Sequence, residues 1–142
     1  ELIYINKNKV KIDNIHEPQI KTKINTVIDL IKSKPDNKFI IFSAYDETFY
    51  PIRSTLTLNN IQFIELQGVV STRVHNLEKF KTGNIQVIFL NSNNNGSGIN
   101  LQEVTDIIIY HEMSVDVKTQ LLGRANRIGR NIPLNVHHLV LK

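Results

Sequence analysis

Apolar residues follow two alternating rhythms along this chain. Lys38 to Ser43 (KFIIFS), Gln86 to Asn91 (QVIFLN) and Asp106 to Tyr110 (DIIIY) are short continuous apolar runs, as expected of strands covered on both faces in a parallel sheet. Ile61 to Leu66 (IQFIEL) and Asn135 to Leu141 (NVHHLVL) are companion strands. Between these runs the period becomes helical. Glu17 to Lys34 places Ile20, Ile24, Ile28 and Ile31 on one stripe that ends near Ser33 and Pro35. Phe49, Ile52 and Leu56 repeat at helical spacing after Asp46, and Ser71 can cap a helix that carries Val74, Leu77 and Phe80 and stops before Gly83. A last helix starts near Ser114, a capping residue, and turns Val117, Leu121 and Leu122 inward. Strand and helix alternating at this pace predict an α/β domain of three layers, a mainly parallel β-sheet flanked by helices. Around Lys7 and Asn8, LIYIN and KVKID fit either a hairpin or a strand that belongs to a preceding segment. Residues 1–16 are therefore read as an N-terminal extension or hairpin on a single domain spanning 1–142.

Length and composition agree with that reading and narrow the chemistry. At 142 residues the chain is long enough for one real core, and 41% hydrophobic with 21% charged residues is a globular balance. No apolar run reaches the roughly 18 to 20 residues needed to span a bilayer, and ELIYINKNKV has no signal-peptide organisation. The expectation is an unexported intracellular protein of cytoplasm or nucleus, or of a virion if viral, without a membrane partner. Starting at glutamate rather than methionine, the chain is expected to be a fragment of something longer. With no cysteine there is neither disulfide nor thiolate metal site, and the adjacent His137 and His138 would point to opposite faces of a strand, so no structural zinc is expected. A formal charge of +4 permits a polyanionic partner without identifying one.

In open α/β sheets, ligand sites gather at the carboxyl ends of strands. That rule selects Ser43 to Thr48, Gln67 to Arg73, Asn91 to Asn100, and the connection from His111 into the last helix. No G-x-x-x-x-G-K-S/T sequence occurs, so the domain alone is expected not to cradle or hydrolyse ATP. NNNGSGIN holds a glycine pair without a following lysine, which also fits an Asn-rich surface loop.

The most regular feature is QLLGRANRIGR, Gln120 to Arg130, where arginines recur every third residue beside Gly123 and Gly129. On a helix, Arg124 and Arg127 share a face and could reach one polyphosphate, which the planar, permanently charged guanidinium suits. Solvated arginines set against the dipole of a helix ending at Gly129 would give the same spacing.

Beyond spacing, QLLGRANRIGR resembles motif VI of superfamily 2 helicases and translocases, most nearly the Swi/Snf-type form QxxGRAxRIGQ, with Arg130 standing where that branch usually has glutamine. KFIIFSAYDETF resembles motif IV, IELQGVVSTRVHNLEKF the strand, turn and helix that follow it, and VIFLNSNNNGSGINLQEVTDIIIY resembles motif V. The four motifs cover Lys38 to Arg130 in order. The resemblance implies a RecA-like C-terminal lobe that supplies arginine fingers to ATP bound, with Mg2+, on an N-terminal lobe of the same protein. It assigns catalytic roles to Arg124, Arg127 and Gln120, nucleotide contact to Gly98, Asn100 and Gly123, and nucleic-acid backbone contact to Ser92, Asn93, Ser43, Gly68 and Arg73. Arg130 is assigned a structural or DNA-facing place. The nucleic acid would be DNA, duplex in the Swi/Snf branch, or RNA.

Two departures set the chain apart from ordinary chromatin remodellers. HEMSVDVKTQ stands, one residue shorter, where Swi/Snf proteins carry Asp-x-Asp-Trp-Asn-Pro, and Q-G-V-V-S replaces the usual D-G-S-T turn. Together with an Asn-, Ile- and Lys-rich composition they suit a divergent viral or microbial member. A helicase-like lobe kept as a non-catalytic binding or regulatory module is the alternative of a different class, and an unrelated flavodoxin-type domain would leave the arginine spacing accidental.

Overall fold

A computed structural model of the chain describes residues 2–5, 8–16, 23–65, 70–91, 103–111, 113–125 and 133–140. In chain order the elements are β1 (Leu2–Ile5), β2 (Asn8–His16), α1 (Lys23–Ser33), β3 (Phe39–Ser43), a one-turn 3-10 helix (Asp46–Thr48), α2 (Phe49–Leu58), β4 (Phe63–Glu65), α3 (Val70–Thr82), β5 (Val87–Asn91), β6 (Asp106–Ile109), α4 (Val115–Ala125) and β7 (Leu134–Val140). The strands form one sheet in the order β1-β2-β7-β6-β3-β5-β4, parallel throughout except where β1 meets β2. The two N-terminal strands are thus a hairpin whose second strand extends the parallel sheet beside β7.

Successive strand residues face opposite sides, and each side has its own core. Ile40, Phe42, Ile88, Leu90, Ile107 and Ile109 pack with Phe80 and Leu77 of α3 and with Val117 and Leu122 of α4. Phe39, Ile41, Val87, Phe89 and Ile108 pack instead with Val27, Ile28 and Ile31 of α1 and with Phe49, Ile52 and Leu56 of α2. All five residues of β3 are buried, which is why the central strand is a continuous apolar run rather than an alternating one.

The helices follow their apolar stripes with two differences. Helix α3 already starts at Val70, so Ser71 lies inside its first turn instead of capping it. Val74 is 56% exposed, because the inward stripe centres on fully buried Phe80, flanked by Asn76 and Leu77, and leaves Val74 at its rim. Helix α1 is described from Lys23, so Ile20 lies outside the described residues.

Polar side chains at the amino edge of the sheet close the helix ends. Gln86 Nε2 donates to the α1 carbonyls of Ile31 (3.2 Å) and Lys34 (2.9 Å). The Lys38 ammonium donates to the carbonyls of Phe80, Gly83 (3.2 Å) and Ile85 (3.1 Å) where α3 ends. Burial holds that ammonium below the usual lysine range, against the attraction of Glu103. Gly83 is required there because a Cβ would stand 2.6 Å from the Lys79 carbonyl oxygen.

A fully buried carboxylate, Asp106, anchors the same edge. It accepts from Asn37 Nδ2 (2.9 Å), Thr105 Oγ1 (2.7 Å) and Lys34 Nζ (3.0 Å), and pairs with His137 Nε2 at 2.7 Å. His137 is itself buried, one face of β7 away from His138, as strand alternation requires. Burial raises the Asp106 pKa, but bonds from His137, Thr105, Lys34 and Asn37 outweigh it and hold the group at about 2.

Helix α2 ends in a Schellman turn. Ile61 N donates to Leu56 O (3.0 Å) and Asn60 N to Thr57 O (3.1 Å), with Asn60 at φ 57°, and Ile61 packs into the same cluster as Leu56.

Two predictions follow from these contacts. Since the folded pKa of Asp106 lies below its ordinary value of 3.8, its stabilisation is complete above that pH and disappears as pH falls through about 2. Urea unfolding should register a loss of roughly 2 kcal/mol across that window. Asp106→Asn should remove this slope and cost about 2 to 4 kcal/mol at neutral pH. At the α2 turn, Asn60→Gly should stabilise by a few tenths of a kcal/mol, whereas Asn60→Val should cost about 1 to 2 kcal/mol in the same assay.

Candidate functional site

Parallel pairing brings the carboxyl ends of three central strands to one edge. Ser43 of β3 lies in register with Asn91 of β5, and Phe42 with Ile109 of β6. From this edge β3 enters the 46–48 turn, β5 enters residues 92–102, and β6 leads through Tyr110 and His111 into α4.

Ser43 is fully buried at the end of β3. Its hydroxyl accepts from the Tyr45 amide (3.1 Å) and donates to the Tyr45 carbonyl (3.3 Å), so it shapes the exit of the strand. Arg73 occupies the first turn of α3. Gly68, Ser92, Asn93, Gly98, Asn100 and Arg127 lie outside the described residues, as does Arg130.

Helix α4 carries the remaining candidates. Ser114 is its N-cap: Ser114 Oγ accepts from Val117 N at 3.3 Å and its carbonyl accepts from Lys118 N at 3.1 Å. Asp116 in the first turn complements the positive helix end. Val117 and Leu122 pack inward on the sheet. Positions 120, 123 and 124 recur at i, i+3 and i+4 and therefore form one stripe. Gln120 and Gly123 on that stripe are exposed, and a Cβ at Gly123 would meet nothing within 4 Å.

Spacing alone did not single out a second cluster at this edge. Thr48 Oγ1 and His111 Nε2 share a hydrogen bond of 2.9 Å, and Asn91 Nδ2 donates to Asp46 Oδ1 at 2.7 Å. The His111 ring meets Tyr45 and Tyr110 edge-on, at 5.6 and 5.1 Å between centroids. Lys23 Nζ donates to the Tyr110 carbonyl at 2.8 Å. Burial, then the Lys23 charge, hold the His111 pKa below its ordinary 6.5, so its imidazole is neutral at physiological pH. The signal in the sequence was the departure at HEMSVDVKTQ, where a histidine opens the connection into α4.

Comparison with known proteins identifies the family. Residues 22–130 match the family described as helicase conserved C-terminal domain. The chain belongs to that family. Over 118 residues, 82% of the chain, it is 36% identical to "Putative helicase R592" of Acanthamoeba polyphaga mimivirus, and covers 14% of that protein. Over 126 residues, 84% of the chain, it is 29% identical to ATP-dependent helicase fft1 of Schizosaccharomyces pombe, covering 13% of it. The crystal structure of the C-terminal part of the Fun30 ATPase domain superposes with a TM-score of 0.78 at 25% identity, covering 87% of this chain and 42% of that one. This helicase C-terminal domain therefore has the RecA-like fold, and its relatives are of the Swi/Snf type within superfamily 2. It spans about one seventh of the length of these curated relatives. Among the described residues, no helix of the domain is long and apolar enough to cross a membrane.

The Ser114 cap sets where the arginine-bearing helix begins. Ser114→Ala should lower thermal stability by about 1 kcal/mol, and Ser114→Asp should recover most of it, because either side chain accepts from the Val117 amide.

Proposed function

We propose that this domain is the arginine-donating second lobe of a nucleic-acid-dependent ATPase that moves along DNA, duplex by preference, or along RNA. The observation that carries the reading is the place of QLLGRANRIGR: its first six residues lie on α4, the capped helix that leaves the carboxyl edge of the central sheet, within the family match. The exposed stripe through Gln120 and Gly123, with open space over the glycine, fits a polyphosphate presented by another surface. ATP, held with Mg2+ by a separate N-terminal lobe, supplies the phosphoanhydride bond that is hydrolysed.

On this reading Arg124 and Arg127 donate hydrogen bonds to the phosphate chain, and their charge counts most where negative charge accumulates in the transition state. Gln120 orients the helix or touches phosphate, while Gly123, Gly98 and Asn100 let backbone approach the nucleotide. Ser92 and Asn93 bind the nucleic-acid backbone without reading sequence. Gly68 and Arg73 join them in contacting the backbone, and buried Ser43 acts through the turn it holds. Because the arginines reach the nucleotide only when the two lobes close, hydrolysis depends on domain movement. Alone, the domain is inactive. The mimivirus match and the Asn- and Lys-rich composition support a viral or microbial lineage acting inside cells or virions.

Steady-state ATP turnover of the longest native gene product containing this segment, with and without duplex DNA, tests the reading. DNA should stimulate turnover, and Arg127→Ala should lower kcat by about 10³-fold or more while ATP affinity changes little. Arg124→Ala should follow closely. A native product without turnover, or an Arg127→Ala variant with normal kcat, would leave the domain as a binding module.

A further inference from the structure

One short element meets both connections that the proposed function makes important. Asp46, at the start of the 46–48 turn, accepts from Asn91, the last residue of β5, where the chain enters residues 92–102. Thr48, at the end of the same turn, bonds His111, where the chain passes from β6 to α4. The turn is fixed from below by the Ser43–Tyr45 hydrogen bonds and from beyond by Phe49, which is buried with its ring 4.9 Å from that of Phe89. The His111 ring is also edge-on to the rings of Tyr45 and Tyr110.

We propose that the 46–48 turn is a bracket that holds the entry to the arginine helix and the end of β5 in one register, through Thr48 and His111 on one side and Asp46 and Asn91 on the other. Thr48 and His111 are positioning residues for the arginines; Asp46 and Asn91 are positioning residues for nucleic-acid contact. The inference rests on the proposed function. Its physical basis is a difference in leverage. A single part-exposed hydrogen bond contributes little to global stability, whereas a displacement of about 1 Å between reacting groups can cost on the order of 100-fold in rate. Loss of the bracket should therefore be felt in turnover far more than in folding.

The test uses the longest native gene product and three variants: Thr48→Val, which keeps shape and removes the hydroxyl; Thr48→Ser, which keeps the hydroxyl; and Asn91→Leu. Thr48→Val should lower DNA-stimulated kcat by about 10-fold with the KM for ATP within about two-fold, and Thr48→Ser should restore it. Asn91→Leu should raise the duplex DNA concentration for half-maximal stimulation by about five-fold with less effect on kcat. Hydrogen exchange gives an arm independent of turnover: in Thr48→Val, amides of residues 113–120 should exchange about ten-fold faster while those of α1 stay unchanged. Unchanged exchange in that stretch, acceleration spread equally over α1, or equal impairment by valine and serine would overturn the bracket. If the native product has no DNA-stimulated turnover, the proposed function falls, and the exchange arm alone still decides whether the bracket exists.

Discussion

Parallel hydrogen bonding of β3 to β5 and β6 is the constraint on which the rest of this domain depends. In a parallel pair, the carboxyl ends of neighbouring strands emerge at the same edge, and each return to the start of the next strand must cross a face of the sheet. Four of these returns are helices, α1 and α2 over one face and α3 and α4 over the other, which bury β3 on both sides. The register of Ser43 with Asn91 and of Phe42 with Ile109 sets three exits side by side. Of the described candidates, Ser43 stands on one of those exits, and Gln120 and Gly123 stand on the helix that follows another.

The two edges of the sheet use polar chemistry differently. At the amino edge, Asp106, Lys38 and Gln86 are enclosed by their partners: a carboxylate with four donors, an ammonium over three carbonyls, and an amide closing α1. Such networks hold helix ends against the sheet. At the carboxyl edge Thr48 bonds His111 and Asn91 bonds Asp46, while Gln120 and Gly123 of α4 are exposed.

Much of this was legible in the chain. Continuous apolar runs located β3, β5 and β6 because both of their faces are buried, and Phe49, Ile52 and Leu56 marked α2 because all three are in fact core. Ser114 was identified as a cap, since capping depends only on residues within one turn. The start of α3 and the fate of Val74 were less legible, because which side of a weakly amphipathic helix faces the sheet is decided by the neighbours it meets. Schellman geometry at Asn60 was signalled only by an Asn-Asn pair that could equally have been an ordinary turn.

For the candidate site the division is similar. Motif VI was readable because Gln120, Gly123, Arg124 and Arg127 are close in sequence and their spacing carries the helical period directly. By contrast, Asp46 and Asn91 are 45 residues apart, Thr48 and His111 63 apart, and Asp106 and His137 31 apart. No local pattern marks such pairs. By itself, the sequence determined the alternation of strands and helices, the two-sided burial of the central strands and the regular spacing of the arginines, all of which depend on neighbours a few residues away. Only the tertiary structure decided that one short turn meets two exits and that one buried aspartate gathers an edge, because those contacts exist only after strand order and register have brought distant residues within hydrogen-bonding reach.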